Sequence, residues 1–102
     1  MSEKKRIPAS GAGAVKILLK NIDQIRLEKK DSTLAGDAIY YLFDVFYPGY
    51  AGTLNVSVLD EQPVMAVLDL QLARPITFDS DAGLKKLVKK LMVREGLILP
   101  KD

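Results

Sequence analysis

Alternation of hydrophobic and polar residues in the middle of the chain predicts a β-sheet. Residues 38–47, AIYYLFDVFY, are rich in aromatic and β-branched side chains and are apolar on both alternating faces, which is typical of a central strand covered on both sides. After a Pro-Gly loop, residues 53–59, TLNVSVL, alternate cleanly and predict a half-exposed strand. Residues 60–63 predict a turn. Residues 64–75, VMAVLDLQLARP, have a composition that also suits a helix, but three leucines in phase favour a further strand.

The first third of the chain has a less regular pattern. Residues 14–30, AVKILLKNIDQIRLEKK, alternate like a strand in two stretches, and we predict a strand pair or one long bent strand with an irregularity near Asn21. Residues 31–37, DSTLAGD, predict a turn, since Gly and Asp tolerate left-handed backbone conformations. The alternative for the first segment is a helical stripe made of Val15, Leu18, Leu19, Ile22 and Ile25.

A helix is predicted near the C-terminus, over about residues 80–95. Leucines and valines fall on one side of it and cations on the other, which is the pattern of an amphipathic helix with one buried face. Asp79 or Ser80 can cap its start by accepting backbone N–H bonds. Gly96 can take the left-handed conformation just past its end.

The polar side of this helix is basic, and it carries Lys85, Lys86, Lys89, Lys90 and Arg94. A solvated helix face usually mixes signs, because opposite charges at i and i+4 attract by about 0.2–0.5 kcal/mol and like charges repel by a similar amount. The helix dipole favours cations in the last turn, but Lys85 and Lys86 lie too early to benefit. The pattern therefore favours contact with an anion over a plain solvated face. The anion can be nucleic acid, an acidic protein or the acidic middle of this chain.

Charge is distributed unevenly along the chain, although it sums to only +2. Residues 1–30 hold eight Lys and Arg against three acids, residues 31–79 hold one against seven, and residues 80–102 hold six against three. Basic ends can meet an anionic partner, or they can meet the acidic middle within a monomer or across an oligomer. The numbers slightly favour the internal pairing.

Length and composition limit the fold. A chain of 102 residues with 48% hydrophobic content has enough apolar residues for one core. Residues 1–13 predict a flexible basic arm. Residues 14–102 predict a single α+β domain, an antiparallel sheet of about four to five strands followed by the amphipathic helix, with a small closed barrel plus helix as the alternative. Because there is no apolar run of about 18 residues and no apolar signal segment, we expect a cytoplasmic protein without membrane contact.

The two apolar faces of residues 38–47 need more cover than one helix provides. A helix with its side chains is about 10 Å wide, whereas four strands span about 15–20 Å. We therefore predict that a second subunit covers the other face, in a homodimer, or that the sheet curls into a barrel. The residues expected at this interface are Tyr40, Leu42, Phe46, Met65 and Val67.

The sequence offers little for catalysis. It has no histidine and no cysteine, so the commonest general base, the commonest metal ligand and any thiolate nucleophile are missing. Asp44 and Asp69 lie in apolar strands, where a buried pair could do acid–base work, but such residues more often face solvent or pair with an arginine. We predict a protein that is not an enzyme and uses no metal or cofactor.

Two tyrosines flank the loop after residues 38–47. Tyr47 and Tyr50 beside basic groups would suit base stacking, but tyrosines around a Pro-Gly turn are also ordinary hairpin packing, which is the favoured interpretation. The order of strands followed by a terminal helix is similar to that of small single-stranded-DNA-binding modules of the whirly type, which dimerise. This likeness is one of architecture and assigns no residues.

Two functions from different classes follow. The first is a small nucleic-acid-binding accessory protein that uses the basic helix and an N-terminal arm. Its candidate residues are Lys4, Lys5, Arg6, Lys85, Lys86, Lys89, Lys90, Arg94, Tyr47 and Tyr50. The alternative is a protein-interaction module, such as an inhibitor, adaptor or assembly subunit, whose apolar second face and charge halves bind protein.

Overall fold

Five antiparallel strands form one sheet in the order of the chain. The computed structural model describes residues 13–71 and 74–100. The elements in chain order are α1 (Ala14–Lys20), a 3-10 helix (Ile22–Gln24), β1 (Arg26–Ala35), β2 (Ala38–Tyr47), β3 (Tyr50–Leu59), β4 (Gln62–Asp69), β5 (Ile76–Thr77) and α2 (Gly83–Arg94). Because β1 and β5 lie at opposite edges, the sheet is open. The predicted α+β fold is confirmed, and the barrel is not formed.

The prediction of strands over residues 14–24 is wrong. This segment forms α1 and the 3-10 helix, and only the part from Arg26 onward is strand. Ala14, Val15 and Leu18 are buried together on one side of α1, which is the spacing of a helical stripe. The helical alternative therefore describes α1 correctly, because burial of Val15 and Leu18 in the core beside α2 favours the i, i+3 pattern over the alternation.

The prediction of a turn over residues 31–37 is also wrong for most of its length. β1 continues through Ala35, and only Gly36 and Asp37 form the turn. Gly36 has a φ of 64°, so a glycine is suited to this position. The register between β1 and β2 shifts between Lys29 and Asp31, which makes Lys30 an extra, bulged residue. The bulge breaks the alternation on which a sequence-based strand assignment depends.

The boundaries of α2 agree with the prediction at one end only. At the C-terminus, Gly96 has a φ of 77°, and the Leu97 N–H donates to the Met92 carbonyl at 2.9 Å, as in a left-handed helix end. At the N-terminus the helix begins at Gly83, whose backbone N–H donates to Asp81 Oδ1 at 2.9 Å. The predicted capping by Asp79 or Ser80 is wrong, because the Ser80 hydroxyl instead accepts the Thr77 N–H at 2.8 Å.

Both helices pack on the same face of the sheet. The buried core joins Leu18 of α1 and the leucine stripe of α2 to Phe43, Leu54 and the other inward residues of the central strands. The opposite sheet face has no helix over it in the part of the chain that the structure describes, and we call it the open face. No helix within residues 13–71 or 74–100 is long and apolar enough to cross a bilayer.

Gly52 of β3 provides a test of how closely the backbones of β3 and β4 approach each other. A Cβ atom at this position would overlap the backbone carbonyl oxygen of Asp69 on β4. Since backbone cannot yield as a flexible side chain can, Gly52→Ala should lower the free energy of unfolding by about 1–3 kcal/mol. Urea denaturation followed by circular dichroism measures this change. Gly36→Asn is the matched control, because that site is open and Asn tolerates a left-handed φ. An equal loss of stability in both variants would contradict the close approach of β3 and β4 at Gly52.

Candidate functional site

The outer face of α2 presents the predicted lysines to solvent. Lys85, Lys86 and Lys90 are exposed and Lys89 is half-buried. The opposite side of the helix is buried completely or nearly so, through Leu84, Leu87, Val88, Leu91 and Met92. The leucine stripe thus fixes the helix on the sheet, and the lysines point away from the core because they alternate with that stripe at helical spacing.

None of these four lysines forms an ion pair with any residue in the described ranges. The ion pairs there join Lys30 to Asp44 at 3.5 Å and Arg94 to Glu95 at 2.9 Å. Asp44 and its neighbour across β3, Asp69, do not neutralise these lysines, because both belong to the open face, on the side of the sheet away from α2. Within the described part of one chain, the basic face of α2 is therefore not neutralised by the acidic middle.

Three of the four α2 lysines border a depression in the surface. It has a volume of about 390 Å³ and is lined by Lys86, Lys89, Lys90, Val93 and Pro100. Val93 is the single apolar residue that interrupts the basic side of the helix. It is half-buried and packs against the core, so it closes the inner side of the depression. Sequence periodicity did not show this feature, because Pro100 reaches α2 only through the folded C-terminal segment.

Arg94 differs from the lysines because its guanidinium group has partners. Its Nε and Nη2 atoms donate to Glu95 Oε2 at 3.1 and 2.9 Å, and Nη1 donates to the Ile22 carbonyl oxygen at 3.1 Å. These bonds join the end of α2 to the 3-10 helix. The adjacent acid, Glu95, was the only signal in the sequence for this role.

The two tyrosines of the β2–β3 hairpin lie in and beside the core. Tyr47 is 3% exposed, so its ring is not available to stack on a base. Its role is hairpin packing, as the favoured interpretation of the sequence predicted. Tyr50 is half-buried, with its ring centroid 6.3 Å from that of Tyr47. Burial raises the pKa of the Tyr47 phenol, and the neighbouring side chain of Asn21 partly opposes this pKa shift. The Tyr47 hydroxyl nevertheless lacks a partner of good hydrogen-bond geometry among the described residues.

The five residues predicted for a subunit interface all lie on the open face. Tyr40 and Met65 are exposed, at 45% and 56%. The other three, Leu42, Phe46 and Val67, are half-buried. Since no partner chain is present, the homodimer stays a prediction.

The remaining candidates, Asp44 and Asp69, each have a partner within the described ranges. Asp44 pairs with Lys30, and Asp69 accepts the backbone N–H of Gln71 at 2.8 Å. No cluster of three acidic side chains that could hold a metal ion is present within residues 13–71 and 74–100. The N-terminal bases Lys4, Lys5 and Arg6 lie outside the described residues.

Comparison with known proteins gives no further assignment. No protein-family model, no curated protein and no solved structure matches this chain. The site must therefore be interpreted from its own geometry.

Tyr47 predicts a specific response to alkaline pH. Because its pKa is raised in the folded state, the unfolded chain loses the phenolic proton first, at a pH of about 10. Stability should therefore fall as the pH rises above that value. Tyr47→Phe should unfold at a higher pH than the wild type in a pH titration followed by circular dichroism. Tyr40→Phe, at an exposed ring, is the control and should behave as the wild type; the prediction fails if both variants shift alike.

Arg94 predicts a loss of stability that the lysines should not share. Arg94→Gln removes the bonds to Glu95 and to the Ile22 carbonyl, and should lower the free energy of unfolding by about 1 kcal/mol, since the group is partly exposed. Lys90→Gln, one turn earlier on the same helix, should cost nothing. Thermal denaturation of both variants measures the difference. An unchanged melting temperature for Arg94→Gln would show that its bonds do not stabilise the fold.

Proposed function

We propose that this protein is a small, non-catalytic nucleic-acid-binding accessory protein that contacts phosphates through the outer face of α2. The observation that carries the proposal is a cluster of four lysines, Lys85, Lys86, Lys89 and Lys90, which have no ion-pair partner among the described residues. Three of them, Lys86, Lys89 and Lys90, border an open depression. A polyanion supplies the missing negative charge. Binding then gains from release of the counterions condensed on the nucleic acid.

The spacing of the lysines suits a repeating anion. Residues three and four apart on a helix have Cβ atoms about 5–6 Å from each other, and the rise from Lys85 to Lys90 is about 7.5 Å. Flexible lysine side chains extend this reach. The face can therefore contact two or three successive phosphates at the same time, whereas a single small anion would use only part of it.

The chemistry of the face favours contact with the backbone of the nucleic acid over its bases. The depression is lined by lysines, Val93 and Pro100 and has no aromatic side chain, so it offers no stacking platform. Lysine contacts to phosphate fix position but carry no sequence information. We expect binding that depends on salt and charge and is insensitive to base sequence. Arg94 and Tyr47 are left out of this surface because both are engaged within the fold.

The N-terminal bases Lys4, Lys5 and Arg6 belong to the proposal on the basis of the sequence alone. A cytoplasmic location, predicted from the same sequence, is compatible with nucleic acid as a partner. The alternative function, a protein-interaction module, is supported by a separate observation, the exposure of Tyr40 and Met65 on the open face.

Replacing Lys86 and Lys90 with glutamine tests the proposed function. If both lysines neutralise phosphates, the double variant should bind labelled DNA more weakly, and the slope of log K against log salt should fall by about 1.8 on a duplex or 1.4 on a single strand. Fluorescence anisotropy at several salt concentrations measures the slope. Folding should be retained, and stability should hold or rise by a few tenths of a kcal/mol, because the Lys86/Lys90 repulsion is removed.

The control is a second double variant, Lys16→Gln with Lys29→Gln, which removes the same charge at exposed sites on α1 and β1. It should keep most of the salt slope. The proposal is wrong if the wild type shows no salt-dependent binding to any DNA or RNA. If, in addition, the Lys86 and Lys90 variant loses stability or changes its oligomeric state, the basic face instead serves contacts between copies of the chain.

A further inference from the structure

The exposed apolar residues are concentrated at one end of the sheet. This end, which we call the distal end, carries the turns at Gly36–Asp37 and Asp60–Glu61, since Ala38 pairs with Leu59. Among the described residues, the large hydrophobic side chains classed as exposed are Leu34, Tyr40, Leu59, Val64, Met65 and Leu99. Five lie in strands within five residues of these turns, and the Leu99 N–H donates to Glu61 Oε1 at 2.8 Å. Tyr40, Leu59 and Met65 share the open face, whereas Leu34 pairs with Ile39 and lies on the helix side of the sheet. Exposed apolar side chains that share one face of a small protein mark an interaction surface.

The rest of the open face is screened by the chain itself. The Arg26 guanidinium lies over the Phe46 ring, 4.8 Å from its centroid, and Lys30 pairs with Asp44 beside it. Charged and polar groups thus cover the apolar side chains of the face near the β2–β3 hairpin. Toward the distal end this cover is missing, and Tyr40 and Met65 are exposed at 45% and 56%.

The register of the strands gives the distal part of the open face a recess. Tyr40 pairs with Ser57, and Ser57 pairs with Met65 on the other side. Ser57 is small and 6% exposed, so the longer side chains of Tyr40 and Met65 project on either side of it and leave a recess over the serine. Leu59 extends the apolar surface toward the turn. Tyrosine and methionine are enriched at protein interfaces, where methionine adapts to the shape of the partner.

The charged residues in the strand ends and turns that form this recess are all acidic. Residues 31–41 and 55–66 contain the acids Asp31, Asp37, Asp60 and Glu61 and no Lys or Arg. The described C-terminal segment beside them, residues 97–100, adds no base. An apolar surface with an acidic rim is complementary to an apolar segment that carries basic residues at its edge.

We propose that the distal end is a docking site for a basic amphipathic segment of another protein. An apolar side chain of the partner lies over Ser57 between Tyr40 and Met65, and its Lys or Arg residues face Asp37 and Asp60. A second copy of this chain fits less well. Two distal ends would bring like charges together, and the outer face of α2 supplies lysines but no exposed large apolar side chain.

This site shares no residue with the lysine face of α2, so the two can be tested separately. The probe is a fluorescein-labelled 18-residue amphipathic helix of leucine and lysine. One comparison peptide keeps the leucines and replaces lysine with glutamate, and the other keeps the lysines and replaces leucine with serine. Fluorescence anisotropy should show saturable binding of the Leu/Lys peptide and little binding of the other two.

Three variants locate the peptide. Tyr40→Ser with Met65→Ser should weaken binding about tenfold or more, since both side chains are apolar anchors. Asp37→Asn with Asp60→Asn should weaken it at low salt and reduce its salt dependence, and Asn tolerates the left-handed φ of 52° at Asp60. The Lys86→Gln, Lys90→Gln variant should bind the peptide as the wild type does. Circular dichroism checks that each variant is folded.

The proposal is overturned if the Leu/Glu peptide binds as tightly as the Leu/Lys peptide, or if neither distal variant weakens binding. Light scattering on the protein without peptide tests whether a second copy of the chain occupies the site instead. Self-association that disappears in the Tyr40→Ser, Met65→Ser variant would make a second copy the occupant, as the homodimer prediction requires, and would overturn a basic partner. A monomer over the micromolar range supports it.

Discussion

Burial of the leucine stripe of α2 against the central strands is the contact on which the rest of this molecule depends. Leu84, Leu87 and Val88 lie at most 1% exposed against a sheet side that includes Phe43 and Leu54. Once this side of the helix is buried, helical geometry leaves the lysines no position except the outer surface. Because α1 joins α2 on the same side, the other side of the sheet is left without a helix in the described chain. One hydrophobic contact thus determines both candidate surfaces.

Much of this arrangement could be predicted from the sequence where the pattern was local and repeated. The strand β2 could be predicted from its aromatic and β-branched residues, and β3 and β4 from alternation, although β3 begins at Tyr50 instead of Thr53 and β4 spans Gln62–Asp69 instead of residues 64–75. The helix α2 follows from a helical stripe that ends before Gly96. Prediction failed where tertiary contacts override local pattern. The segment from Val15 to Leu19 is compatible with either period, and the burial of Val15 and Leu18 together in the core beside α2 accompanies the helix. The bulge at Lys30 similarly hides the second half of β1, because an added residue reverses the phase of the alternation.

The candidate site was predictable in part for the same reason. The lysines could be identified because they recur at helical spacing on one face, whereas the bond from Arg94 to the Ile22 carbonyl could not be predicted, since the two residues lie 72 positions apart in sequence. The aromatic ring of Tyr47 also has no local signal that separates a buried from an exposed position. For the open face, the apolar residues could be identified from the sequence, but not which of them are covered and which exposed, because the cation over Phe46 comes from a neighbouring strand. Long-range contacts therefore decided which apolar residues remain in water.

The edge strand β1 has a further consequence for the behaviour of the protein at high concentration. A sheet edge offers unpaired N–H and C=O groups on which another strand can add, and native proteins guard such edges with charges and bulges. The first half of β1 has both, in the run from Arg26 to Asp31 and the bulged Lys30. The second half, Ser32–Ala35, has neither, and its Leu34 is 72% exposed. Edge-to-edge growth into aggregates should therefore start in this four-residue segment, while the charged half of the strand resists it.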